Sequence, residues 1–204
     1  MPKLLPDVVE KNKLVIEQAA LKLFCAQGFH GTTIRQIADA SQVSTGNIYN
    51  YYRTKDQILE IIVERYHRKM MAERKKLLDA IRDPFSPEEW QRLAVKIRSL
   101  IQRHGDYWRL MYIDVTEFDN RHFRRSFTTL LDDFRIRFKD GTWRAGKDGL
   151  HRGVDPSFAF GAIWMQLFDY FLVEKLFYGN LHFGVSDEQF VRKLCRLFLM
   201  DEES

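Results

Sequence analysis

A chain of 204 residues, 45% hydrophobic and 29% charged, is long enough to bury one sizeable core or two small ones, and its formal net charge is +4. No run of eighteen apolar residues free of charge occurs, which excludes a membrane-spanning helix. Pro2, Pro6 and Asp7 interrupt the stretch where a secretion signal needs an unbroken apolar core, so the expected location is the cytoplasm.

Capping signals divide the chain. Asp7 with Glu10 opens a first helix whose apolar positions Val8, Val15, Ala19, Leu23 and Phe24 run to Gly28, a natural stop. Phe29-His30-Gly31 links it to Thr33, which has capping-box spacing with Gln36 and starts a short helix buried through Ile34, Ile37 and Ala38. Ser41-Gln42-Val43 is a turn, Ser44 a second cap, and Thr45 to Tyr49 can make only one or two helical turns. Two short helices around a three-residue turn form a helix-turn-helix, whose second helix enters the DNA major groove. The groove admits it where the facing side chains are small or polar, as Thr45, Gly46, Asn47 and Asn50 are, while Ile48 turns inward with Val43 and Ile37. Thr45 and Asn47 are expected at base edges with Gly46 allowing close approach, although glycine is also at home in a loose turn. Thr33, Tyr49, Tyr51 and Lys55 are expected on phosphates, Arg35 on either, and Ser44 beside them as the cap.

The order Thr32-Thr-Ile-Arg-Gln-Ile-Ala-Asp-Ala-Ser-Gln-Val-Ser-Thr-Gly-Asn-Ile-Tyr-Asn-Tyr-Tyr-Arg-Thr-Lys-Asp-Gln-Ile-Leu59 closely resembles the N-terminal domain of TetR-family transcriptional regulators. The likeness extends upstream through Ile16 to Phe29 and covers about the first sixty residues. The resemblance implies a ligand-responsive repressor that binds a palindromic double-stranded operator as a homodimer. One departure stands out: Gln42 occupies a turn position where the family usually has Gly, and a left-handed non-glycine there costs on the order of 1 kcal/mol.

Charge placement agrees with a polyanion partner without proving one. Residues 1–83 hold 14 Lys and Arg against 10 Asp and Glu, whereas 84–204 are balanced at 18 each, so the whole basic excess lies in the first part.

Thr54 with Gln57 opens a long helix reaching about residue 82, before Asp83-Pro84, and this rod connects a helix-turn-helix domain over 1–53 to a remainder over 54–204. Ser86-Pro87-Glu88-Glu89 starts the next helix, which carries Trp90, Leu93, Ile97, Leu100 and Ile101. A short helix from Asp106 to about Glu117 and a longer one from near Asn120 follow. Gly141 to Gly153 is a loop, Asp155-Pro156 restarts a helix apolar on nearly every side through Tyr178, and Ser186 with Gln189 caps a last one through Met200. No alternating strand pattern survives. The expected fold is all-α with about nine helices: a three-helix DNA-binding domain, then a helical ligand-binding and dimerisation domain.

Of 28 aromatic residues, 22 follow residue 84, which fits either a packed core or an apolar ligand site between helices. The lining candidates are Trp90, Leu93, Ile97, Trp108, Met111, Tyr112, Phe127, Leu131, Phe134, Trp164 and Phe168, for a small hydrophobic effector such as an acyl chain (as in a fatty acyl-CoA) or an aromatic compound. Arg109, Arg121 and Arg124 are candidates for an anionic head, though surface arginines need no ligand. Phe158, Ile163, Leu167, Tyr170, Phe171 and Leu176, with Phe190, Leu194, Leu197 and Phe198, offer more apolar surface than one protomer needs, and the family resemblance implies a four-helix homodimer interface there. Cys25 and Cys195 are expected as reduced core residues.

Gly141 to Asp148 has P-loop glycine and lysine spacing, but a charged helix precedes it and Asp148 would repel phosphate. Six scattered histidines show no metal spacing, and no nucleophile has a base beside it. No catalytic residue, metal or cofactor is therefore expected, and the protein is read as no enzyme. The competing readings are a helical small-molecule-binding enzyme or sensor with a structural helix-turn-helix, and an architectural DNA protein, which would need far more positive charge.

Overall fold

The computed structural model describes residues 6–144, 150–151, 153–177 and 184–199. Among these the chain is helical, with nine α-helices: α1 (Pro6–Gln27), α2 (Ile34–Ser41), α3 (Thr45–Tyr51), α4 (Lys55–Asp79), α5 (Pro87–Arg103), α6 (Gly105–Phe118), α7 (Arg124–Lys139), α8 (Pro156–Phe177) and α9 (Asp187–Arg196). The only extended pairing among them is a single bridge between Leu150 and Leu199. No helix is long and apolar enough to cross a membrane among the described residues.

The caps sit where the side chains demand. Thr33 and Gln36, and again Ser186 and Gln189, form reciprocal capping boxes, and Ser86 accepts from the Glu89 N–H with Pro87 in the first turn. Three boundaries differ from expectation. α4 stops at Asp79 rather than near 82, and α7 starts at Arg124 rather than near Asn120, because Asp119 and Asn120 both hold left-handed backbone (φ 53° and 56°) that no right-handed helix can include. α9 ends at Arg196 and not at Met200, because Leu197 and Phe198 tighten into i→i+3 bonds to Leu194 and Cys195 and Leu199 leaves the helix for its bridge to Leu150. Tyr178 and Met200 themselves lie outside the described residues, as do residues 145–149 of the glycine-rich loop.

The chain forms two compact units: Met1–Met70 with Asp106–Arg124, and Met71–Gly105 with Arg125–Ser204. A single cut at 53/54 is therefore corrected, because α6 completes the first unit. Its Tyr107 ring stacks on Tyr66 at 5.5 Å, its Phe118 meets Phe29 edge to face at 4.7 Å, and the Cys25 thiol reaches the Asp106 carbonyl at 3.5 Å. Ile16, Ala20, Phe24, Ile37, Ile48 and Ile58 are wholly buried in this unit. At one edge of that core Glu17 is 5% exposed, accepting the Tyr52 hydroxyl at 2.8 Å and pairing with Arg65 at 3.0 Å. Burial, then the bond to Glu17, pushes the Tyr52 phenol well up, so it stays a donor.

In the second unit α5, α8 and α9 pack together around an aromatic centre. Phe160 lies 4.7 Å from Trp90, 5.0 Å from Phe134 and 4.5 Å from Trp143, ring to ring. Trp143 comes from the glycine-rich loop, whose start thus anchors in the core. Arg98 ties α5 to Glu174 of α8 and Asp187 of α9, at 2.5 Å each. Burial pushes the thiols of Cys25 and Cys195 each up to about 12, so neither is a thiolate at neutral pH.

Gln42 is the left-handed C-cap of α2, with φ 57° and ψ 26°. Its side chain is exposed, so little packing is at stake. Gln42→Gly is expected to stabilise the protein by about 0.5–1 kcal/mol, after discounting glycine's extra freedom in the unfolded chain, and Gln42→Val to destabilise it. Urea unfolding midpoints decide; a lower midpoint for the glycine variant would show that the turn relaxes elsewhere.

Candidate nucleic-acid interface

α2 and α3 are short, and their arrangement depends on local bonds and a small apolar seam. The Thr33 hydroxyl accepts from Gln36 N–H at 3.2 Å and the Gln36 side chain accepts from Thr33 N–H at 2.8 Å, while Gln27 donates to the same Gln36 oxygen at 3.2 Å. The Ser44 hydroxyl accepts from Asn47 N–H at 3.3 Å and opens α3. Ile37 and Ile48 are fully buried and Val43 nearly so, as expected for the seam between the two helices.

The other side of α3 is open. Thr45, Gly46, Asn47, Tyr49 and Asn50 are all exposed, and a Cβ added at Gly46 would meet no atom within 4 Å. Among the described residues nothing accounts for a glycine there, which costs about 1 kcal/mol relative to alanine in a helix. Asn50 reaches Asn47 at 3.4 Å and can steady its amide. Arg35 and Thr33 are exposed at the start of α2.

Two expected phosphate ligands are partly engaged. The Tyr51 hydroxyl accepts from Asn12 at 3.0 Å, which fixes its position and leaves its own O–H to donate. The Lys55 ammonium donates to the carbonyls of Phe29 at 2.6 Å and Thr32 at 2.5 Å and sits 4.2 Å from the Phe29 ring centre, leaving one of its three N–H groups for a phosphate. Burial lowers its affinity for the proton, partly offset by Asp56 and Glu117. Lys55 is thus first a staple on the α1–α2 link. Sequence reading missed its counterpart, Glu117, 88 residues away from Phe29. No local pattern signals a contact of that range.

The expected ligand-lining residues are divided between the units. Trp108, Met111 and Tyr112 belong to the first; Trp90, Leu93, Ile97, Phe127, Leu131, Phe134, Trp164 and Phe168 to the second. Trp90, Leu93, Ile97, Phe134 and Trp164 are buried against one another or their neighbours, Leu131 and Tyr112 face outward, and the Phe127 side chain lies outside the described residues. Two clefts are present elsewhere, of about 200 Å³ between α1 and α4 and about 350 Å³ between the start of α5 and α9, and neither is lined by this set. The expected dimer set needs a firmer correction. Ile163, Leu167, Tyr170, Phe171 and Leu194 are buried within the protomer, where α8 meets α5 and α9; Leu176, Phe190 and Phe198 are half-buried. Phe158 and Leu197 do face outward, at 65% and 68% exposure, and Phe177 joins them at 67%. Among the described residues no group of three or more metal-ligating side chains comes together.

Residues 16–62 match the family model described as bacterial regulatory proteins, tetR family. The HTH-type transcriptional regulator HbdR of Aromatoleum sp. (strain CIB) is 32% identical over 142 residues, which is 70% of this chain and 56% of that protein. The chain spans about half the length of this curated relative. Among solved structures, the ketosteroid transcriptional regulator KstR2 of Mycobacterium tuberculosis superposes with a TM-score of 0.62 at 13% identity, covering 93% of this chain and 95% of that one. The regulator FadR of Bacillus subtilis, solved in complex with stearoyl-CoA, superposes with a TM-score of 0.56 at 15% identity over 90% of this chain and 96% of that one. At these identities the structural likeness establishes the fold.

Proposed function

We propose that this chain, which belongs to the tetR family of bacterial regulatory proteins through its residues 16–62, is a transcriptional repressor that binds a palindromic operator as a homodimer and leaves it when a small hydrophobic effector binds. One observation carries the reading: a doubly capped helix-turn-helix presents Thr45, Gly46, Asn47 and Asn50 as an exposed, small and polar surface that no other described residue covers. An enzyme or sensor with a merely structural helix-turn-helix has no need to keep that face clear. Thr45 and Asn47 are assigned to base edges; Thr33, Tyr49, Tyr51 and the third N–H of Lys55 to phosphates; Arg35 to either.

The homodimer reading rests on Phe158, Phe177 and Leu197, large apolar side chains on and just after α8 and α9 that water surrounds in the protomer. Two-fold symmetry would set paired recognition helices about one DNA turn or slightly more apart. The effector reading rests on a fold shared with a protein solved with stearoyl-CoA; the aromatic centre of the second unit is packed closed in this structure. α4 is a single helix of 25 residues, about 37 Å at helical rise, so a small tilt at one end becomes a shift of ångströms at the other. An effector preferring the released conformation by about 3 kcal/mol lowers operator affinity roughly a hundredfold.

The test is selection of DNA from a random pool by the purified protein, followed by mobility shifts on the selected sequence. A selected site with two-fold symmetry is expected, and no selection overturns the reading. Asn47→Ala should cost about 1–3 kcal/mol on the selected site and relax base preference, whereas Lys55→Ala should weaken all sequences alike and reduce the salt slope. Gly46→Ala should stabilise the free protein by up to about 1 kcal/mol while weakening the operator complex, because the added methyl has room in the protomer and none against a base edge. A Gly46→Ala protein that binds as tightly as before would remove close approach from the account. Acyl-CoAs, fatty acids and aromatics are then screened by thermal shift and by operator release.

A further inference from the structure

The cleft of about 200 Å³ between α1 and α4 is built from two matching stripes. Its lining falls at positions 14, 17, 18 and 21 on α1 and at 62, 65, 66 and 69 on α4, the same helical spacing twice, so each set forms one strip about 10 Å long. The strips do not close on one another. Much of the wall between them is apolar: Leu21 and Ile62 are buried, Tyr66 is half-buried, and Leu14 stays exposed although it borders a concave surface. Water finds few partners on such a wall, and a carbon body displaces it with a gain.

The charges of the lining are unequal. Glu17 contributes a carboxylate, but both its oxygens are engaged: Arg65 donates from Nε to Oε2 at 3.0 Å and from Nη2 to Oε1 at 3.2 Å, and Oε1 also accepts the Tyr52 hydroxyl at 2.8 Å. Arg65 Nη2 meets Glu10 as well, at 3.4 Å. The two N–H groups on Arg65 Nη1 lie outside these bonds. Lys69, one turn further along the same face of α4, is exposed and in no ion pair among the described residues. One carboxylate of the lining therefore stands against two cations. Burial, then Asp106 and Cys25, push the Tyr66 phenol up, so it adds no negative charge.

We propose that this cleft binds a small organic anion, with its apolar body on Leu14, Leu21 and Ile62 and its carboxylate between Arg65 Nη1 and Lys69 Nζ. Volume bounds the body: a cavity of about 150 Å³ holds a benzene ring, so about 200 Å³ takes about six carbons with the head at the rim. Charge sets the sign. A carboxylate there gains charge-assisted bonds from both cations and leaves the Glu17–Arg65 pair in place. None of the residues expected to line an effector site contributes to this cleft, and it belongs wholly to the unit that carries the helix-turn-helix. A bound anion ties α1 to α4, and at ten times its Kd it lowers the unfolding constant about elevenfold. The site does not depend on which DNA, if any, the protein selects.

The test is methyl NMR of the full chain at neutral pH, titrated with hexanoate and, as neutral and cationic bodies of the same length, with hexanol and hexyltrimethylammonium. Hexanoate should shift the methyls of Leu14, Leu21 and Ile62 saturably, with a Kd on the order of 1 mM, a modest affinity for so few atoms. Hexanol should bind there about tenfold more weakly and the ammonium not at all, the scale of one charge-assisted hydrogen bond. Lys69→Gln, a change at the surface, should weaken hexanoate about tenfold and leave hexanol as it was. Gln18→Phe, whose ring fills the cleft, should abolish binding of both; if that variant does not fold, Lys69→Gln decides alone. Equal affinity for hexanoate and hexanol would mean an apolar hollow that reads no charge, and it overturns the proposal. So do tightest binding by the ammonium, an absence of saturation, and shifts confined to methyls of the second unit such as Leu93 and Ile163.

Discussion

Phe160→Ala is expected to destabilise the protein by about 3–5 kcal/mol, whereas Phe158→Ala, two residues earlier on the same helix, should leave protomer stability within about 0.5 kcal/mol. Phe160 is fully buried among Trp90, Phe134, Trp143 and Trp164, and truncation would leave a hole that four large rings cannot collapse to fill. A domain of ordinary stability has about 5–15 kcal/mol in hand, so the loss brings the chain close to unfolding at physiological temperature. Phe158 is mostly in water, and if it lies in the proposed homodimer interface its removal should instead weaken self-association by about 1–2 kcal/mol, the cost of truncating an interface anchor. Urea titrations at two protein concentrations separate the effects: the Phe160→Ala midpoint falls at both, whereas that of Phe158→Ala falls only where wild type is associated. Equal losses for the two variants would mean that α8 is not oriented as described.

Arg65→Met should cost about 2–3 kcal/mol. The Glu17 side chain is 6% exposed and would lose its cation, leaving a buried carboxylate with only the Tyr52 hydroxyl. Stranding a fully buried charge costs about 3–5 kcal/mol, and the figure here is lower because the Arg65 side chain is 43% exposed, so water screens part of the pair. The informative control is the double variant Glu17→Leu with Arg65→Met, which removes both charges and should recover most of the loss. Tyr52→Phe alone should cost about 1 kcal/mol. A double variant worse than Arg65→Met would show that the network contributes packing, not charge compensation.

The sequence made local chemistry legible. Thr33 with Gln36, Ser86 with Pro87, and Ser186 with Gln189 each place a helix start within a residue or two, because a cap is satisfied by neighbours three positions away. The exposed face of α3 was readable for the same reason: helical periodicity assigns Ile48 inward and its neighbours outward. Apolar content was a poorer guide to α8, where it surrounds the helix almost evenly, so Ile163, Leu167 and Phe171 could not be told from Phe158 until their neighbours on α5 and α9 were in place. Lys55, read as a phosphate ligand because it is a cation after the recognition helix, turned out to hold two carbonyls of a preceding link. Its opposite number at Glu117 lies too far along the chain for any spacing rule to reveal.

The return of α6 to complete the first unit bears on the order of events during synthesis. Residues 6–70 emerge from the ribosome with their capping boxes and apolar seam intact, yet the partner of the Phe29 and His30 amides is still unmade. At about 5–20 residues per second, several seconds pass before Glu117 and Phe118 exist to close the contact, and the pairing must wait for a loop of more than eighty residues to be brought round. A fragment ending at residue 70 would carry every side chain assigned to DNA while lacking half of what holds the α1–α2 link. Excised headpieces of this chain should therefore include residues 106–124, supplied as a fused or separate peptide, before their affinities are compared with those of the intact protein.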